Sequence, residues 1–199
     1  MKTIENSSST IIVNKSKFIC HLYCVNNMEE IQEKQEQVRQ KYKGATHYCY
    51  AYILENQKRC SDDKEPSGTA GMPILSVLES HHLDHVLCIV IRYFGGIKLG
   101  AGGLVRAYTK AITSCLENTT IINLELGKII EIEFEYNETK YIEHILEKNI
   151  IQKIFSNHIY YQITIPTSEL ERIENLLKNH IINLKIIKTT YIKKSVLSN

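Results

Sequence analysis

The chain has little net charge: 24 Lys and Arg against 22 Asp and Glu leave a formal +2. Coating a polyanion by overall charge is thereby excluded, and any polyanion contact must come from a local patch. Long apolar runs are also absent, so nothing approaches the roughly 20 residues of a membrane span. Residues 1–10 are polar, and Ile11-Ile12 is too short for the apolar core of a secretion signal. A soluble, cytoplasmic protein with no membrane partner is expected. Internal repeats and low-complexity tracts are missing. No cysteine follows Cys115 and no glycine follows Gly127. Two differently built halves are therefore expected in 199 residues, a length suited to one large domain or two small ones.

The cysteines do not read as a metal site. Cys20, His21 and Cys24 are close in sequence, but residues 17–25 read as a strand with Phe18, Cys20, Leu22 and Cys24 on one face. Four strand residues span roughly 13 Å, too far for two thiolates to share a metal or a disulfide. Reduced core thiols are expected, with no metal and no cofactor. His81, His82 and His85 fall in a helix-to-strand link and read as surface residues.

In the first half, strands are expected at 10–13 and 17–25. A helix follows, opened by the Asn27-x-x-Glu30 capping pattern and closed by Gly44. Next come a strand at 46–54, a polar loop at 55–72 and a short helix with Pro73 in its first turn. On the strand, His47, Cys49, Ala51 and Ile53 share one face, while Tyr48, Tyr50 and Tyr52 share the other. In the second half, Ile130, Ile132, Phe134 and Tyr136 alternate with Glu131, Glu133 and Glu135. Helices at 139–148 and 167–179, the latter capped by Thr167 or Ser168, interleave with strands at 150–155, 159–165 and 184–192. That order, βαββαβ, is the ferredoxin-like one. The domains are placed at 1–122 and 128–199, with Gly127 as the hinge, which makes the chain α+β.

The densest signal is Arg92-Tyr93-Phe94-Gly95-Gly96-Ile97-Lys98-Leu99-Gly100-Ala101-Gly102-Gly103-Leu104-Val105-Arg106. It follows residues 86–91, which carry no polar side chain and suit a strand buried on both faces. It leads into a helix with an apolar stripe at Leu104, Ala107, Tyr108, Ala111, Ile112, Cys115 and Leu116. Five glycines and three cations in one strand-to-helix turn allow close backbone approach and outward N–H groups, as an anion site requires. Neither the Walker nor the Rossmann spacing is met.

These residues carry a family resemblance. The turn, together with Gly102-Gly103-Leu104-Val105-Arg106-Ala107-Tyr108, the stretch Glu65-Pro66-Ser67-Gly68-Thr69-Ala70-Gly71-Met72-Pro73-Ile74-Leu75 and residues 47–52, resembles the YigZ/Impact family in its bacterial two-domain form. The resemblance implies a first domain like domain 2 of ribosomal protein S5. It implies a ferredoxin-like second domain similar to the fifth domain of elongation factor G. It also implies a link to translation, since eukaryotic Impact relatives regulate it, and no settled enzymatic activity. Lys64 stands where relatives are expected to carry Gly, and Tyr48 where a second His is expected.

The leading expectation is RNA or ribosome binding by Arg92, Tyr93, Phe94, Gly95, Gly96, Lys98, Gly100, Gly102, Gly103, Arg106 and Lys110. Phosphates would meet the cations, and Tyr93 and Phe94 would stack on bases. Ser67, Gly68 and Thr69 offer a second set of anion contacts, with His47, Asp63 and Glu65 in support. Two readings stay open for several of these groups. Arg92 either serves the anion site or pairs internally with Asp62, Asp63 or Glu65, and the tyrosine strip is either a stacking surface or core. A phosphotransferase on the S5-like kinase fold and a protein-interaction module are the alternative functions. No catalytic residue is assigned.

Overall fold

The computed structural model describes residues 1–55 and 57–194, and the chain divides into two compact units, Met1–Asn123 and Leu124–Asn199. It is a mixed α/β structure.

In the first unit, β1 (Lys2–Ile4), β2 (Ser7–Val13) and β3 (Ser16–Cys24) precede α1 (Met28–Lys41). Asn27 caps α1 by accepting the Glu30 N–H at 2.8 Å, while Glu30 reaches back to the Asn26 N–H at 2.9 Å. Then come β4 (His47–Leu54), β5 (Gln57–Ser61), α2 (Gly71–Ser80), β6 (Val86–Tyr93) and α3 (Gly100–Leu116). The antiparallel sheet runs β2-β3-β6-β4-β5. Its strand β6 shows why residues 86–91 lack polar side chains. Val86, Cys88 and Val90 join the core under α2 and α3, while Leu87, Ile89 and Ile91 join the one under α1.

Several sequence expectations change here. Residues 57–61 form β5 rather than loop: Gln57, Lys58 and Arg59 sit on an edge strand, where charge blunts further pairing. Strand β1 escapes notice because three residues carry no periodicity. His85 is buried, with a φ of 54° and its Nδ1 3.1 Å from Asp84, whereas His81 and His82 are exposed.

The second unit contains β7 (Ile121–Phe134) from Leu124 onward, α4 (Thr139–Leu146), β8 (Ile150–Phe155), β9 (Ile159–Pro166), α5 (Leu170–Leu177) and β10 (Asn183–Lys193). Its antiparallel sheet is ordered β10-β7-β9-β8. Ile130, Ile132, Phe134, Tyr161 and Ile163 pack with Ile142, Leu146, Ile173 and Leu177. Gly127 is no hinge: it lies inside β7, paired with Pro166 and Thr190. A Cβ there would come within 2.6 Å of Ile192 and 2.9 Å of the Ile165 carbonyl oxygen, so close packing demands the glycine. Tyr136 leaves the strand for a 3-10 turn and is 53% exposed. Another 3-10 turn, Thr167–Glu169, leads into α5, which has no side-chain cap.

Candidate functional site

The end of β6 turns Arg92 toward the core shared with α3, in register with His47 on β4 and Phe18 on β3. Arg92 is 4% exposed and its Nη1 lies 2.5 Å from Glu65 Oε1. The internal pair is thus the one with Glu65. Glu65 Oε1 also accepts the Tyr108 hydroxyl at 2.9 Å, and Arg92 Nη2 donates to Ser16 Oγ at 3.4 Å. The guanidinium lies between two rings, 5.4 Å from the Phe18 centroid and 5.5 Å from that of Phe94. Arg92 Nε is buried without an acceptor among the described residues. Buried charges persist only when paired in this way.

His47 Nδ1 sits 2.8 Å from the Asp63 carbonyl oxygen. A carbonyl only accepts, so Nδ1 carries the proton and Nε2 faces Glu65 Oε1, 3.8 Å away. Cys49 lies beneath, its Sγ 3.3 Å from the Tyr108 hydroxyl. Burial, against the lowering effect of the Tyr108 bond, pushes the Cys49 thiol up to about 12, so it is a neutral thiol rather than a nucleophile. Burial, followed by Cys49 and Glu65, pushes the Tyr108 hydroxyl well up, leaving it a neutral donor.

A cavity of about 380 Å³ opens above this network, lined by His47, Glu65, Arg92, Phe94, Lys98 and Leu104 among others. Beside it in the turn, a Cβ on Gly95 would fall 2.0 Å from the Lys15 carbonyl carbon, so only glycine lets the turn pack on the β2–β3 hairpin. Gly96 and Gly100 take positive φ (84° and 67°), and Gly102 and Gly103 lie in the first turn of α3.

The remaining sequence-selected residues divide among other surfaces. Tyr93 packs with the α1 core alongside Tyr48 and Tyr50, while Tyr52 is buried there. Arg106 and Lys110 line a separate groove with Ile12, Val13 and Asn14 of the β2–β3 hairpin. The Ser67-Gly68-Thr69 loop already holds an anion of its own. Asp62 accepts N–H bonds from Gly68 at 2.8 Å, Ala70 at 2.9 Å and Gly71 at 2.8 Å. Burial opposes ionisation, but these three bonds outweigh it and hold the Asp62 carboxyl below its usual range. Thr69 is buried with its hydroxyl donating to the Pro66 carbonyl at 2.6 Å, and Ser67 is exposed. Asp63 serves structure as well, accepting the Tyr48 N–H at 2.6 Å. Sequence reasoning did not single out Tyr108, Ser16 or Phe18 for the site. Tyr108 was legible only as part of a core stripe, and no local pattern marks the other two. Among the described residues, no cluster of His, Cys, Asp and Glu is placed to hold a metal ion.

The family model described as the Impact N-terminal domain matches residues 14–116, from the turn after β2 through β3, the pocket and α3. The chain belongs to the Impact family. The resemblance extends beyond that domain: the Bacillus subtilis IMPACT family member YvyE is 35% identical over 96% of this chain and 93% of its own. Escherichia coli YigZ is 30% identical over 79% of this chain and 81% of its own. Protein IMPACT-B of Xenopus tropicalis is 33% identical, over 46% of this chain and 31% of its own. A crystal structure described only as that of a hypothetical protein superposes with a TM-score of 0.63 at 26% identity, covering 94% of this chain and 97% of that one. Among the described residues of this Impact family member, no helix is long and apolar enough to cross a membrane.

Proposed function

We propose that this Impact family member is a cytoplasmic, translation-linked protein that binds single-stranded RNA along the edge where β6, the β2–β3 hairpin and α3 meet. One observation carries the reading. Lys15, Lys98, Arg106 and Lys110 are all exposed there, and no carboxylate pairs with any of them among the described residues. Gly95 packs on the Lys15 backbone, and Leu99 lines both the Lys98 pocket and the Arg106–Lys110 groove, so the four cations flank one stretch of surface. The first turn of α3 holds no acidic residue that would oppose a phosphate. Phe94, 46% exposed, is an aromatic face on which a base can stack.

The link to translation rests on the family, and two module assignments support it. The first unit is read as S5-domain-2-like. The second, with element order βαββαβ and sheet order β10-β7-β9-β8, is read as ferredoxin-like. Arg92 leaves the contact set for a structural role, because its charge is spent on Glu65. Co-sedimentation with ribosomes tests the reading. Wild-type protein should pellet with ribosomes at low salt and be released at high salt, and the Lys98→Ala/Arg106→Ala/Lys110→Ala variant should stay in the supernatant. Wild-type protein absent from the pellet at low salt would overturn the ribosomal form of the proposal.

A further inference from the structure

We infer that the outer edge of β8 is an interface at which a second copy of this chain adds its own β8, joining two sheets edge to edge. In the second unit β8 ends the sheet and pairs only with β9 among the described residues. An edge strand is a template for further pairing unless charge, proline or an irregularity blunts it. Two other edges are blunted in this way. Strand β5 carries Lys58 and Arg59, and β10 carries Lys185, Lys188 and Lys193 together with a bulge between Ile186 and Lys188. Strand β8 instead reads Ile-Ile-Gln-Lys-Ile-Phe, with Ile151, Ile154 and Phe155 53%, 42% and 60% exposed. Its single charge is drawn inward: Lys153 pairs with Glu143 on α4 and its Nζ lies 5.1 Å from the centroid of the Tyr161 ring on β9.

The strand is complementary to itself about one point. Antiparallel pairing through a two-fold axis normal to the sheet keeps every side chain on its own face, so residues that meet must share a face. Lys153 and Phe155 are in register with Tyr161 and Ile159, whose side chains join the core under α4 and α5, while Ile154 is in register with Tyr160 on the open face. Centring the axis on Lys153 would set two ammonium groups against each other. Centring it on Gln152 would run the bulge between Ile150 and Gln152 into the seam. An axis at Ile154 avoids both: Ile154 meets its counterpart, and Lys153 meets Phe155 of the second copy as a cation beside a ring. Such a seam is closed. It consumes the apolar edge of both copies and leaves the lysine-bearing β10 at the outer margins.

Sedimentation equilibrium of the full chain is the test. At about 10 μM chain a dimer with a Kd of about 1 μM is mostly formed, so the molar mass should approach twice that of one chain. Ile154→Lys and Ile154→Glu each set like charges across the axis, should raise the dissociation constant about a hundredfold, and should each sediment largely as monomers. Ile154 is exposed, so neither substitution disturbs the core. An equimolar mixture of the two variants should restore the dimer by pairing opposite charges, a result that misfolded chains would not give. A wild-type chain that sediments as a monomer would overturn the inference and leave the edge to a strand from another protein. A dimer undiminished in both variants, or variants that stay monomeric when mixed, would overturn the pairing of β8 about Ile154.

Discussion

Arg92 and Glu65 form a buried ion pair, Nη1 to Oε1 at 2.5 Å, beneath the pocket that the glycine turn encloses. Removing one partner strands the other in a low-dielectric site. Arg92→Met should therefore cost about 3–5 kcal/mol of stability, and adding Glu65→Gln should recover much of that loss. With no tryptophan in the chain, far-ultraviolet circular dichroism during urea unfolding is the suitable probe. A single variant no worse than a surface substitution would contradict the buried-pair account.

His21 should make the first unit acid-sensitive. It is 7% exposed, with Nε2 2.8 Å from the Tyr42 hydroxyl, and burial, then the nearby Lys41 charge, lowers its pKa to about 4. The unfolded chain takes up this proton near 6.5 and the folded chain only near 4. Its stabilising contribution is thus complete above 6.5, declines as pH falls through that window, and changes no further below it. The loss should approach about 3 kcal/mol, and His21→Gln should flatten it. A wild-type and variant pair with parallel stability–pH curves from 7 to 4 would exclude the mechanism.

Asp62 does for α2 what an external anion was expected to do. Asp62→Ala leaves the N–H groups of Gly68, Ala70 and Gly71 without their acceptor and should cost about 2–4 kcal/mol at neutral pH. Because its folded pKa is depressed, this contribution is present above the unfolded carboxylate value and is lost as pH falls through the folded one. Melting temperatures of wild type and variant should accordingly converge in strong acid, and a constant gap would contradict the assignment.

What the chain reveals by pattern alone follows from the range of the interactions. Asn27 and Glu30 are neighbours on one helical turn, so their cap is visible in sequence. The apolar run 86–91 likewise announces a strand covered on both faces. Arg106 and Lys110 show which face of α3 they occupy, but periodicity does not reveal that the β2–β3 hairpin flanks them. The Asp62 carboxylate reaches six to nine residues forward across a turn, a distance at which no periodic signal survives. Tyr93 is the reverse case: strand alternation alone sets it opposite Arg92, toward α1.

Lys64 illustrates a family expectation that the backbone explains. It is exposed and holds a φ of 70°, a conformation that suits the glycine expected there. Lys64→Gly should raise stability by about 0.5–1 kcal/mol, since relief of the left-handed strain exceeds the added freedom of the unfolded chain. A lowered urea midpoint would show that the Lys64 side chain contributes more than its exposure indicates.

Fluorescence anisotropy of a labelled single-stranded RNA across a salt series addresses RNA binding directly. The affinity of the wild-type chain should fall steeply with salt. Lys98→Ala/Arg106→Ala/Lys110→Ala should weaken binding and reduce the log–log slope by roughly 2, at about 0.7 per phosphate contact removed. An unchanged slope in the triple variant, or no binding by the wild type at low salt, would contradict RNA recognition at the α3 edge.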